Sequence, residues 1–314
     1  MTTQYLRKWR LAVSDDAGNA YDLSELKIQF TVESAVVERP NTLAARVFNV
    51  ADKTALRIAD AKQSVRAILQ AGYEGSFGTI FSGNIVQVRS GKIDATDTYV
   101  DIFAADGDRA TNWGVTNMTL AAGYTQADIT KAVGQAFQTY GVTVDPRSYG
   151  YIPSRAPRGR VLYGLAREQA RIVAQTSNLD WSIQQGQVLF LPQTAVLPGD
   201  AVVLTSATGL IGRAQQTQDG ITARCLLNPS LGSGVRVHID NASIEKARYN
   251  LSELAINNFP SIARDGFYKI LWVDHVGDNY GTPWYTDFTC VALDATIQPI
   301  TNSVIRRAIP SPPS

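Results

Sequence analysis

Chemistry in a folded chain needs a nucleophile, an acid or base, or a set of metal ligands, and this one has two histidines and two cysteines to build them from. His238 falls where Val235, Val237 and Ile239 alternate with Arg236, His238 and Asp240, on the polar face of a half-buried strand. His275 sits among Val273, Asp274 and Val276. No cysteine or carboxylate cluster stands at ligand spacing from either, and nothing marks a base held beside a serine or cysteine. Cys225 shares a strand face with Ile221, Ala223 and Leu227, and Cys290 lies between Thr289 and Val291, so both read as small core residues. Asp94 with Asp97, or Asp274 with Asp287, would be the carboxylate pairs of a glycosidase, but they fall in or beside hairpins, where aspartate is commonplace. Asp15, Asp16 and Asn19 lack the ligand ladder and closing glutamate of a calcium loop and read as a hairpin tip. Gly232-Ser233-Gly234 precedes a strand and not a helix, which removes the phosphate-binding geometry. Arg155, Arg158 and Arg160 suit an anion, and the plainer reading is a solvated or subunit-contact loop. No catalytic, cofactor-binding or metal site emerges.

The composition excludes further classes. With 29 basic against 28 acidic side chains, the net charge of +1 gives no basic excess for gripping phosphates. No apolar run reaches membrane-spanning length, about 18 residues. The start, Met1-Thr2-Thr3-Gln4-Tyr5, lacks the basic and apolar regions of a secretory signal, so the chain is expected to stay in the cytoplasm until it assembles. At 314 residues it has room for two to three domains.

The elements that must position these residues are mostly short strands. Leu6–Val13 is expected to pair with Glu25–Val32, followed by strand Leu43–Val50 and a short helix Asp52–Ala59 with Asp52 as its cap. Next come Val65–Leu69, a turn over Ala71–Gly75, Thr79–Val88 with a bulge or bend at Gly83, and Thr98–Ala104. In the last of these Val100 and Ile102 share one face, and Tyr99, Asp101 and Phe103 the other. Beyond Arg109 the texture changes. Thr125–Asp128 resembles a capping box opening a helix with Ile129, Ala132, Val133, Ala136, Phe137 and Tyr140 on one face, stopped by Gly141. A second helix is expected over Val161–Gln175, with Leu162, Leu165, Ala166, Ile172 and Val173 as its stripe, then a hairpin of Leu179–Gln184 and Gln187–Leu191. Strand texture returns with Ile221–Leu227 after Asp219-Gly220, Val235–Asp240, Gly266–Val276 and Tyr285–Ala292. Ile85–Val88 and Thr98–Asp106 echo Leu271–His275 and Thr286–Asp294, which suggests a duplication. Outward aromatics, Tyr99, Phe103, Trp272, Trp284 and Tyr285, suit subunit contact. The fold class is mainly β with an α+β insert: two small β-barrels, 1–108 and 201–306, flanking a helix-containing region 109–200, with a Pro-rich extended tail 307–314.

Three stretches carry a likeness to a known family. Val47-Phe48-Asn49-Val50, the run 65–75 (VRAILQAGYEG), the run 80–88 (IFSGNIVQV) and the run 101–108 (DIFAADGD) resemble, in that order, the first barrel of baseplate hub proteins of long-tailed, especially contractile, bacteriophages. Trp181-Ser182-Ile183-Gln184-Gln185-Gly186, running on to Pro192, resembles the hairpin of that family's middle region, and the run 208–240 resembles its second barrel. The resemblance implies tail-tube-like barrels in a homotrimer, so that three chains offer six barrel positions to a sixfold tail tube protein and threefold symmetry to a central spike protein. It also implies baseplate wedge and tape measure proteins as further neighbours, DNA as passing cargo, no cofactor, no enzymatic activity, and a place in the virion tail after assembly in the host cytoplasm. The family's fused lysozyme or spike module is not expected on this chain. A channel wall for DNA should avoid positive potential, which makes Asp94, Asp97, Asp101 and Asp287 the lumen candidates. The rival readings are a carbohydrate-binding or cell-wall-degrading tail-tip protein, and a sixfold tube or secretion-system ring protein with one barrel per chain.

Overall fold

A computed structural model describes residues 5–14, 19–60, 66–148, 155–246 and 260–293. The Asp15-Asp16 loop and the stretch 307–314 lie outside the described residues. The N-terminal region folds into strands β1 (Tyr5–Ser14), β2 (Ala20–Asp22), β3 (Ile28–Ala35), β4 (Thr42–Phe48), β5 (Arg66–Glu74), β6 (Ser76–Lys92) and β7 (Thr98–Ala105), with helix α1 (Asp52–Asp60) after β4. Neighbours run β3-β4-β7-β6-β5-β1-β2, each pair antiparallel. The sheet curls because alternate side chains, Ile28, Phe30, Val32, Leu43, Ala45, Val47, Leu69, Val100 and Ile102 among them, all enter one core. The expected hairpin between Leu6–Val13 and Glu25–Val32 does not form. β1 lies on β5 and carries Leu11 and Val13 into the same core, which leaves both edges of β3 free for β4 and a more distant strand.

Strand β6 explains the curl. Asn84 stands opposite both Arg66 and Ala105, so the strand passes from one neighbour to the other there. The register slips at Ile80 and at Val86, placing a bulge on each side of Gly83 and not at the glycine itself. Gly83 is required for a different reason: a Cβ would lie 2.7 Å from the Ala105 carbonyl oxygen. The turn expected over Ala71–Gly75 shrinks to Glu74-Gly75, since Tyr73 already pairs with Ser76.

The middle region holds α2 (Asp108–Trp113), β8 (Val115–Leu120), α3 (Gln126–Gln138), β9 (Thr143–Val144), β10 (Arg160–Leu165), α4 (Ala166–Ser177), β11 (Leu179–Gln184) and β12 (Gln187–Pro192). The capping box is present: Asp128 accepts the Thr125 backbone N–H at 2.8 Å and donates its own to the Thr125 hydroxyl. Ile129, Ala132, Val133 and Phe137 are buried, while Tyr140 is exposed. The second helix begins at Ala166, not Val161. Leu162 is fully buried between Val161 and Tyr163, which are 66% and 74% exposed, a period of two that belongs to a strand, and β8 pairs with it. Ile172 accordingly falls outside the buried stripe.

The last region supplies β13 (Val202–Leu204), β14 (Leu210–Thr217), β15 (Gly220–Leu226), β16 (Arg236–Ile239), β17 (Ile244–Glu245), β18 (Phe267–Asp278) and β19 (Trp284–Ala292). Strands β14-β15-β19-β18-β16 adjoin in that order, all antiparallel, around a second core that includes Ile221, Ala223, Cys225, Val237, Ile270, Phe288 and Cys290. This is the order of β3-β4-β7-β6-β5, strand for strand in sequence. The bulge repeats as well: the register slips at Leu271 against β19 as it does at Val86 against β7. The equivalence sets Thr98 against Trp284 and Ile85 against Ile270, so the echo read from the sequence was displaced by two residues in the later strand and by one in the earlier.

The two units are joined edge to edge. Trp272–Asp278 of β18 pairs with Gln29–Ala35 of β3, making one 14-stranded sheet. Among the described residues, no helix is long and apolar enough to cross a membrane. Gly83→Ala is expected to cost roughly 1–3 kcal/mol, because the Ala105 carbonyl is backbone and yields only by bending the crossing strand. Denaturant midpoints measure it, and an unchanged midpoint would mean that β6 has slack at the bend.

Candidate assembly interface

The residues picked out for chemistry are not gathered into one site. His275 is buried with Nδ1 2.8 Å from the Thr286 hydroxyl, and burial pushes it down to about 4, so it is neutral. His238 stacks at a tilt on Phe267. Cys225 and Cys290 are free and buried; burial pushes the Cys225 thiol up to about 12 and raises Cys290 too, which makes both poor nucleophiles. Asp94 caps its own hairpin by accepting N–H bonds from Thr96 and Asp97. Asp274 does stand opposite Asp287, but Asp287 is committed to an arginine. Ser233 of the G-x-G joins Ser34 and Gln184 in a hydroxyl–amide junction. Among the described residues, no three His, Cys, Asp or Glu side chains gather at metal-binding distance.

What the fold does build is a surface. The outward face of β15, β19, β18, β3, β4, β7 and β6 is continuous across both units, because the β3–β18 pairing keeps the pleats in phase. One cross-strand row reads Arg224, Asp287, Asp274, Glu33; another reads Asp278, Gln29, Arg46, Asp101, Arg89. Equivalent positions of the two units carry the same trio. Arg46 grips Asp101 through Nε at 2.7 Å and a terminal nitrogen at 3.1 Å, and lies 4.6 Å over Tyr99. Arg224 grips Asp287 at 2.6 and 2.8 Å and lies 4.0 Å over Tyr285. Each bond raises its arginine further above its ordinary value.

Of the four lumen candidates, this face holds Asp101 and Asp287, each neutralised by arginine. Asp94 and Asp97 sit at a hairpin tip beyond the end of β6. The outward aromatics divide too. Tyr99, Phe103 and Tyr285 are half-buried on the face, and Trp272 is almost covered. Trp284 points the other way, into the first unit's core, where its indole N–H donates to the Gly72 carbonyl and its ring meets Phe30.

The β11–β12 hairpin fastens the middle region to both units. At its turn, where Gln185 and Gly186 both take positive φ (54° and 78°), the Gly186 N–H donates to buried Asp106 at 2.9 Å. Asn41 donates to the Ile183 carbonyl and Gln185 to that of Thr79. At the open end, fully buried Lys269 of β18 reaches the carbonyls of Pro192 and Gln193 and the Asp180 carboxylate, at 3.1 to 3.4 Å. Burial lowers the lysine and raises Asp180, while their mutual attraction opposes both shifts. Neither Asp106 nor Lys269 stood out in the sequence. The only signal was a lysine inside the apolar run from Phe267 to Val273. The arginine loop lies at the surface, Arg155 and Arg158 exposed and Arg160 opening β10.

The fold, a five-stranded unit repeated within one chain with an α/β insert between the copies, is similar to that of solved tail proteins. The 43 kDa tail protein of prophage MuSo2 from Shewanella oneidensis superimposes with a TM-score of 0.55 at 8% identity, over 91% of this chain and 98% of that one. The tail protein of Neisseria meningitidis MC58 gives 0.56 at 9% identity, over 90% and 96%. An Escherichia coli component of the type VI secretion system, which exhibits structural similarity to T4 bacteriophage tail proteins gp27 and gp5, gives 0.51 at 9% identity, over 85% and 73%. No family model matches the chain, and no curated protein matches it in sequence. At these identities the likeness is one of fold.

Burial pushes Asp106 up to about 7, against the pull of the Gln185 and Gly186 N–H groups and the Arg66 guanidinium. Its folded value lies above the ordinary 3.8, so the stability it contributes is full below that pH and is lost as pH rises through about 7. Asp106→Asn keeps an acceptor for Gly186 and removes the slope. Relative to the variant, the natural protein should lose on the order of 4 kcal/mol between about pH 4 and pH 7. Urea unfolding at a series of pH values tests this, and parallel curves for the two proteins would refute it.

Proposed function

We propose that the chain is a baseplate hub subunit of a phage tail, a homotrimer that adapts a sixfold tail tube protein to a threefold central spike protein. The observation that carries this reading is the duplication: two units of one strand order and one bulge pattern in each chain. Three such chains present six near-equivalent units upward while keeping threefold symmetry below, and a closed ring covers strand edges that a single chain leaves open. In this reading 1–108 and 201–306 are the tube-facing parts and 109–200 is the insert. The shared outer face lines the channel, where the arginine-paired Asp101 and Asp287 leave little net charge to hold passing DNA. The work is structural and not enzymatic, consistent with a neutral buried histidine and two buried thiols. Wedge and tape measure proteins are further neighbours, and the site of action is the virion tail after assembly in the host cytoplasm.

The likeness to a type VI secretion component favours one second reading, a ring protein of a related injection machine. Native mass spectrometry across a concentration series tests both. Three chains are expected; six would favour a simple ring, and a monomer at every concentration, even with spike and tube proteins added, would overturn the hub.

A further inference from the structure

The joint between the two units of one chain is a template for the joint between chains. Within the chain, the outer edge of the second unit's β18, from Trp272 to Asp278, receives the first unit's β3. The counterpart of that edge in the first unit runs from Gln87 in β6 to Ile93 just beyond its end, fixed by the matching bulges and by Arg89 standing against Asp101 as Asp274 does against Asp287. Gln87–Lys92 pairs with β7 on one side and, among the described residues, with no strand on the other. The counterpart of β3 is β14, because Gln29 pairs with Arg46 as Ile211 pairs with Arg224. The outer edge of β14 carries, among the described residues, only the two-residue β17 at Ala214–Gln215.

We propose that a second copy of this chain seats the Ile211 end of its β14 on the β6 edge that no described strand covers, repeating between copies the contact that β3 and β18 make within one. The equivalence names the residue pair. Gln29 stands opposite Asp278 and donates to its carboxylate at 2.9 Å. The counterparts of Gln29 and Asp278 are Ile211 and Ile93. Both are exposed in the isolated chain, at 42% and 53%, so the internal polar pair becomes an apolar pair that is open to water until a neighbour covers it. Val86, at the bulge that begins this edge, is exposed as well. The contact between copies is shorter than the internal one, because β17 occupies the far half of β14. It is also head-to-tail, second unit onto first unit, which generates a ring when the rotation closes.

This inference rests on the ring reading, and cysteine cross-linking separates the two. Directly opposed strand residues bring Cα atoms to about 4.5–5.5 Å, within disulfide reach. The natural Cys225 and Cys290 are buried and do not compete. The double variant Ile93→Cys/Ile211→Cys, oxidised in the native state, should give covalent dimers and trimers on a non-reducing gel. A mixture of the two single variants should give dimers only, and each single variant alone should give none. Ile93→Glu should weaken self-association at least tenfold with an unchanged melting curve of the isolated chain. A natural protein of three-chain mass whose double variant does not cross-link, or whose Ile93→Cys single variant cross-links by itself, overturns this edge and leaves the ring standing. A natural protein that is monomeric at every concentration, spike and tube proteins present, overturns both.

Discussion

The backbone hydrogen bonds between β18 and β3 carry the arrangement of the whole molecule, because they join the two units and β18 changes partner along its length to make them. Its first residues, Phe267–Lys269, pair with β16, and Trp272–Asp278 pairs with β3, while its other edge holds β19 throughout. A slip of one residue would turn the face of every side chain beyond it. The bulge at Leu271 sits where the partner changes, and the added twist steers the strand from one curl into the next. Trp284 reinforces the joint from inside: it belongs to the second unit's last hairpin and is spent in the first unit's core.

The middle region is held at its attachment points by polar contacts beside the apolar cluster of Leu189, Leu191 and Leu197 with Val235. A buried lysine with three oxygen partners and a buried aspartate receiving backbone N–H bonds cost desolvation that their hydrogen bonds only partly return. Such contacts define one geometry of attachment, since a shifted hairpin would strand a charge. Ser34, Ser233 and Gln184, drawn from the first unit, the second unit and the hairpin, meet at the same junction.

The repeated arginine–aspartate–tyrosine trio shows what the duplicated units retain on the surface. Both copies place a bidentate ion pair across neighbouring strands and roof the tyrosine with the guanidinium, a rigid and nearly neutral patch. The edges differ where the trios agree: Gln29 and Asp278 bond within the chain, and their counterparts are two exposed isoleucines. Two copies of one unit can thus make one kind of joint internally and leave its equivalent for a neighbour.

By itself the sequence determined what depends on short range. Alternation marked most of the longer strands, though not β8, β10 or β14, Thr125 and Asp128 marked the start of α3, Gln185-Gly186 marked the hairpin turn, and the neighbours of Cys225 marked it as core. These follow from side-chain period and backbone preference, which act over a few residues. Tertiary structure alone decided that β1 lies on β5, that the run from Val161 is a strand supported by β8, that Trp284 faces inward, and that Asp101 and Asp287 are neutralised by arginines distant in sequence. Partner choice is a long-range matter: any alternating strand can pair with any other, and burial of the common core selects one arrangement. The role of Asp106 and Lys269 was hidden for the same reason, since a buried charge is tolerated only where a distant segment brings its partners.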